Sequence, residues 1–273
     1  MIILIFLVLG LIVGSFLNVV VYRLNVAETL VMDRSKCPHC KTVIAWYDNI
    51  PVISFILLKF RCRNCKEKIS FQYPLVEIFT GLVFVLVGQR YFNLNDTTTW
   101  ATAIYYLGIA SSLITIFVYD FLYMEIPGLV LWPAIGWAVA FNLFFDWGRL
   151  EDGIGGQGGI GVLESSVYSG TLGAAAAFAF FFLMVAISKE KWMGMGDAYL
   201  VILLGFILGW PEILLGLMLA FSIGAIVGIA LIFFKKKNMN SQIPFAPFLV
   251  LGTIITMFWY GQILDWYMNL FRF

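Results

Sequence analysis

Charge is the first thing this sequence lacks. Only 12% of its 273 residues are charged, while 62% are apolar. A soluble domain carries about 25% charged residues to cover its surface, so that class is excluded. Histidine is nearly absent, with His39 alone. One histidine cannot build Ser-His-Asp or Cys-His chemistry beside a distant nucleophile, which leaves carboxylates, lysines and tyrosines as acid–base groups. The apolar runs do not alternate, so a closed barrel is excluded as well. The first run has no basic n-region and no A-x-A-like cleavage site, and it reads as a retained helix. No nucleic-acid-binding motif accompanies the basic residues.

What is there is a series of long apolar runs, most of them long enough to cross a hydrocarbon layer about 30 Å thick as a helix. They fall at 1–23, 72–92, 100–120, 127–146, 164–187, 195–210, 211–234 and 244–264. The sixth is short, and Pro211 after Gly209-Trp210 marks a tight turn into the seventh. The expectation is an all-α polytopic membrane protein of about eight transmembrane helices with a small zinc-binding cytoplasmic insertion. Its parts are a first helix at 1–23, a tetracysteine loop at 24–71 and a seven-helix membrane core at 72–273.

Basic residues set the orientation. With the first loop in the cytoplasm, alternate loops hold fourteen of the seventeen Lys and Arg residues, and the other side keeps Arg90, Arg149 and Arg272. Positive residues stay on the cytoplasmic side, so both termini face outward.

All four cysteines lie in the polar loop, as Cys37-Pro38-His39-Cys40 and Cys62-Arg63-Asn64-Cys65. Two C-x-x-C knuckles at this separation fit a tetrahedral zinc site, its spacing slightly longer than the common range. Disulfides are disfavoured in a reducing compartment. Four thiolates leave no open position for water, so the zinc is structural. His39 is read as a solvent-exposed knuckle residue.

Few acidic residues reach the edges of the apolar runs. Asp120 closes the third run in Phe117-Val118-Tyr119-Asp120, before Ile126-Pro127, and Asp197 opens the sixth in Gly194-Met195-Gly196-Asp197. Topology places both at the cytoplasmic boundary, where carboxylates are costly unless paired, wetted or functional. Two carboxylates sharing one proton can activate water and protonate a carbonyl. The glycines at 194 and 196 permit close backbone approach.

At these residues the sequence resembles the prepilin peptidases of type IV pilus, type II secretion and competence systems, membrane aspartic peptidases of the Gly-x-Gly-Asp group. The resemblance starts at Gly14-Ser15-Phe16-Leu17-Asn18-Val19-Val20 and Tyr22-Arg23-Leu24. It runs through both knuckles, Asp48-Asn49-Ile50-Pro51-Val52-Ile53-Ser54, Ile69-Ser70 and Tyr73-Pro74-Leu75-Val76-Glu77. Asp120 with Ile126-Pro127, Gly194 to Asp197, and Pro244-Phe245-Ala246-Pro247-Phe248-Leu249 complete it. It implies a bacterial inner-membrane enzyme with Asp120 and Asp197 as the catalytic pair. The implied substrates are type IV prepilins and pseudopilins, cut after a short basic leader. It further implies N-methylation of the new terminus from S-adenosylmethionine. Glu77 is a candidate contact for that donor, with capping or a polar interhelical role as the alternative. Gly128, Tyr199 and Ala246 depart from the family pattern, which usually has Asp or Asn, Lys, and Gly at these places.

Three other readings fit parts of the sequence less well. The run Gly153-Ile154-Gly155-Gly156-Gln157-Gly158 matches a dinucleotide fingerprint, but without a βαβ unit it reads as a flexible linker. A transporter with a zinc-stabilised gate would place its acidic site near the bilayer midplane. Tyr119-Asp120 with a Gly-x-Gly-Asp is also similar to presenilin-like intramembrane proteases, but the cysteine-bearing loop and Pro244–Leu249 favour the prepilin group.

Overall fold

The computed structural model describes residues 1–26, 35–94, 96, 98–153, 165–234 and 243–270. The linker reading at 153–158 falls almost wholly outside them. In chain order the helices are α1 (Ile2–Val26), α2 (Ile53–Leu57), α3 (Gln72–Tyr91), α4 (Thr98–Tyr123) and α5 (Gly128–Gly153). They are followed by α6 (Ser166–Ser188), α7 (Met195–Leu208), α8 (Glu212–Phe233) and α9 (Ala246–Leu270). Among the described residues there is no strand, only two isolated bridges, Lys36 with Val43 and Arg61 with Lys68.

Among the described residues, seven helices are long and apolar enough to cross a membrane. The eighth apolar helix, α7, has 14 residues and reaches about 21 Å at 1.5 Å per residue, shorter than the layer. Large apolar side chains face outward all along the spans: Leu4 is 63% exposed, Leu183 59% and Ile229 69%. This inverted surface suits hydrocarbon, and the chain is a polytopic membrane protein.

The chain divides into two compact units, Met1–Val118 and Tyr119–Phe273. In the first, α1 packs along α3 through small residues. A Cβ built on Gly10 would lie 2.7 Å from the Gly81 Cα, and one on Gly14 would lie 2.7 Å from the Glu77 Cα. Lipid gives apolar helices no hydrophobic reason to associate, so small residues that let backbones approach become the contact.

In the second unit, α6 packs on α7 and α8 on α9. Gly205 of α7 sits directly against the Ala174 and Gly173 backbone of α6, and Gly252 of α9 against Gly216 of α8. The turn after α7 uses Gly209 at φ 75°, whose N–H donates to Gly205 O at 2.8 Å. The Trp210 N–H then donates to Ser169 Oγ at 2.9 Å, which pins the turn to α6.

The position of Gly10 is directly testable. Gly10→Val forces α1 from α3 and costs about 1–3 kcal/mol, the usual range for overpacking. Gly136→Ala, where a Cβ meets nothing within 4 Å, leaves stability unchanged within about 1 kcal/mol. Thermal unfolding in detergent separates the two; equal melting temperatures would refute the tight-contact account.

Candidate functional site

Asp120 lies in the last turn of α4, which runs three residues past the end expected for it. The helix stops because Met124 takes φ 56° while its N–H donates to Asp120 O at 2.8 Å. The Asp120 side chain is buried, 5% exposed. It accepts the backbone N–H of Ala246, the first residue of α9. A helix N-terminus has N–H groups without intrahelical partners, so α9 supplies a ready donor. The other oxygen, Oδ2, is buried with no hydrogen-bond partner.

Asp197 is the third residue of α7, after Gly194 as an extended N-cap. It is half-buried and within Coulombic reach of Asp120. Gly196 explains how the segments meet: a Cβ there would lie 3.3 Å from Ile126 Cδ1. Ile126 therefore packs on the bare backbone just before Asp197. The structure thus brings together four sequence-selected features: Asp120, Ile126-Pro127, the Gly-Met-Gly-Asp turn and the Pro244–Leu249 segment.

Tyr199 sits among aromatic rings. Its ring lies 5.6 Å from Trp132 and 6.4 Å from Phe178, centroid to centroid. Aromatic packing occupies the place where a cation was expected from the family pattern. Gly128 is the first residue of α5, and Ala246, the third departure, is the donor residue to Asp120.

The tetracysteine loop is built by repetition. Cys37 N–H donates to Thr42 O at 3.0 Å and Lys41 N–H to Cys37 O at 2.9 Å. Twenty-five positions later, Cys62 N–H donates to Glu67 O at 2.8 Å and Lys66 N–H to Cys62 O at 3.1 Å. Lys41 and Lys66 take φ 57° and 60°, so each knuckle turns by the same backbone move. Asp48 accepts from Arg63 Nε and Nη2 at 2.8 and 2.7 Å, tying the intervening segment to the second knuckle. That bond and the Arg63 charge hold the Asp48 carboxyl below its usual range.

All four sulfurs lie within 4.8 Å of one another, with Cys37 and Cys65 at 3.9 Å. Tetrahedral zinc at about 2.3 Å from sulfur separates its ligands by about 3.8 Å, while a disulfide needs about 2.05 Å. The donor set fits a thiolate-bound metal ion. Hydrogen bonds from the Thr42 side chain and backbone bring Cys40 down to about 6. The Glu67 hydrogen bond pulls Cys65 down, but burial and the neighbouring thiols push it up to about 11. His39 is exposed beside them.

Glu77, buried near the start of α3, accepts the Val52 N–H at 2.8 Å and interacts with the Ser15 side chain. It holds the loop to α3. Sequence patterns did not reveal this contact, because it depends on Val52 taking φ 60°.

Residues 8–91 match the bacterial peptidase A24 N-terminal domain and residues 107–229 the type IV leader peptidase family. A "Prepilin leader peptidase/N-methyltransferase" of Pseudomonas putida is 30% identical, over 97% of this chain and 93% of its own. One from Aeromonas salmonicida is 31% identical over 95% and 91%. A Myxococcus xanthus relative is 36% identical over 82% of this chain and 62% of its own. The chain belongs to the type IV leader peptidase family. No solved structure matches it. Glu77 and the four cysteines fall in the first matched stretch, Asp120 and Asp197 in the second. Membership does not favour the transporter reading.

Gly196→Val places a branched side chain where Ile126 already sits. It is expected to lower stability by about 1–3 kcal/mol, measured by thermal unfolding. An unchanged melting temperature would show that Ile126 does not pack there.

Proposed function

We propose that this chain removes the short basic leader of type IV prepilins and related pseudopilins, with Asp120 and Asp197 as an aspartic dyad. The observation that carries the reading is the pair itself. Asp120 is buried with Oδ2 unpartnered, and Asp197, in the first turn of another helix, lies within Coulombic reach of it.

Two adjacent carboxylates hold one proton between them. The ionised one takes a proton from water, which attacks the scissile carbonyl; the protonated one donates to the carbonyl oxygen. Ala246 N–H fixes the orientation of the Asp120 carboxylate. Gly194 leaves open space ahead of Asp197, while Gly196 lets Ile126 pack against the backbone beside it.

The fourteen Lys and Arg residues on alternate loops put this end of α4, α7 and α9 in the cytoplasm, with both termini outward. A basic leader held on that face presents its junction with the apolar pilin helix to the dyad. The boundaries 1–23, 24–71 and 72–273 then separate an anchoring helix, a zinc-braced loop and a peptidase core.

The metal is zinc, held by Cys37, Cys40, Cys62 and Cys65 as a closed structural site. The relatives' names support a second activity, N-methylation of the newly exposed amine. S-adenosylmethionine supplies an electrophilic methyl group when bound.

Asp120→Asn and Asp197→Asn should each reduce cleavage of a purified prepilin a hundredfold or more, within the about 10²–10⁴-fold contribution of positioned acid–base groups. Helical content and metal content should stay as in the unaltered protein. Normal cleavage by either variant would refute the dyad.

Metal analysis of reduced protein should return one zinc per chain, lost on Cys37→Ser or Cys62→Ser. A ratio near zero in the intact protein would overturn the zinc assignment. Transfer of labelled methyl to cleaved pilin tests the second activity.

A further inference from the structure

We infer that α2 and the turn after it form a membrane-surface anchor. Ile53, Ile56, Leu57 and Phe60 enter the headgroup boundary beside α3, and Arg61 and Lys68 meet anionic lipid phosphates there. This anchor goes beyond the peptidase and methyl-transfer readings and depends on neither.

The polar loop contains one apolar run, Ile53-Ser54-Phe55-Ile56-Leu57-Leu58, followed by Lys59-Phe60-Arg61. The fold divides that run between two surroundings. Ser54, Phe55 and Leu58 line the space enclosed between the loop, α1 and α3. The remaining apolar side chains of α2 have no such cover: Ile53 is 57% exposed, Ile56 60% and Leu57 75%. Large apolar groups gathered on the surface of a polar segment mark a place where something binds.

The partner follows from where α2 is held. The 20 residues of α3 reach about 30 Å at 1.5 Å per residue, the thickness of the hydrocarbon layer itself. Its first turns therefore lie at the edge of that layer. Glu77, in the second turn of α3, accepts the N–H of Val52 at 2.8 Å, and Val52 is the residue that opens α2. The start of α2 is thus pinned at the level of the boundary and not out in the water.

The turn after α2 makes the exposed patch continuous with a lipid-facing surface. Lys59 and Phe60 take φ 50° and 66°, and the Phe60 N–H donates to Phe55 O at 3.0 Å. This folds the Phe60 ring back to 5.7 Å from Phe71, centroid to centroid, just ahead of α3. Phe71 begins a stripe of exposed side chains with Leu75, Ile78 and Leu82, whose spacing places them on one face of the helix. That stripe is bathed by lipid wherever α3 crosses the bilayer, and Phe60 joins the α2 patch to its end.

Charge selects the kind of lipid. Residues 35–71 carry seven Lys and Arg against two acids, Asp48 and Glu67, and Asp48 is occupied by Arg63. Arg61 and Lys68 stand opposite each other in an antiparallel bridge. The next residue, Ile69, donates its N–H to Phe60 O at 2.8 Å, so both cations lie beside the apolar patch. Like charges directly opposite are destabilising, and an anion between them reverses the sign. Apolar side chains edged by Lys and Arg are what a segment lying in an anionic headgroup layer presents. A basic leader is repelled by the same charges, which disfavours a prepilin as the occupant.

The test is photocrosslinking from the loop. Full-length protein carrying p-benzoylphenylalanine in place of Leu57 is placed in nanodiscs of phosphatidylcholine and phosphatidylglycerol, irradiated and mapped by mass spectrometry. The same photoreactive residue at Leu75 gives the lipid-facing reference, and at His39 the aqueous one. Lipid adducts should form at position 57 as at 75 and not at 39, with metal content unchanged. Omitting phosphatidylglycerol, or combining Arg61→Gln with Lys68→Gln, should lower the yield at 57 about fivefold or more. No lipid adduct at 57, a yield equal to that at 39, or adducts with a second copy or an added prepilin in place of lipid overturns the anchor. A yield indifferent to both phosphatidylglycerol and the two cations overturns an anionic surface as its partner.

Discussion

Close backbone approach between helices is the constraint on which this protein depends. In hydrocarbon, an apolar side chain gains little by moving from lipid to a neighbouring helix, so association rests on packing and on internal satisfaction of polar groups. Gly10 and Gly14 let α1 lie against α3, and Gly205 lets α7 lie against α6. Through the second contact the short α7 is held despite its 14 residues, and Asp197 at its start is positioned with it. The placement of Asp197 is thus a product of small residues elsewhere on the same helix.

The same constraint explains the polar contacts. Asp120 is buried and finds the free N–H of Ala246 at a helix start; Glu77 finds the Val52 N–H in a loop. In both cases the donor is backbone, which is always available where a helix begins or a chain turns sharply. Each carboxylate thereby links its helix to a segment distant in sequence. Each also keeps acceptor capacity in reserve.

Much of the architecture was legible beforehand. Apolar run length marked the spans because crossing a bilayer imposes a minimum length that few soluble helices meet. The short sixth run was visible for the same reason, and Pro211 marked its turn. The cysteine pairs announced a metal site because two knuckles put four thiols at one point whatever the fold around them. Contacts such as Val52 with Glu77 were hidden. They depend on one residue entering the left-handed region, which a β-branched side chain does not advertise.

The sequence by itself determined the spans, the asymmetry of basic residues, the metal-ligand set and the two candidate carboxylates, because each follows from composition or local spacing. It also carried the family resemblance, since Asp120 and Asp197 stand in recognisable motifs. Only the tertiary structure decided what surrounds them: Ala246 as the donor to Asp120, Ile126 against Gly196, and Tyr199 among aromatic rings. Those facts arise from segments separated by tens of residues, and no local pattern records which of them will touch.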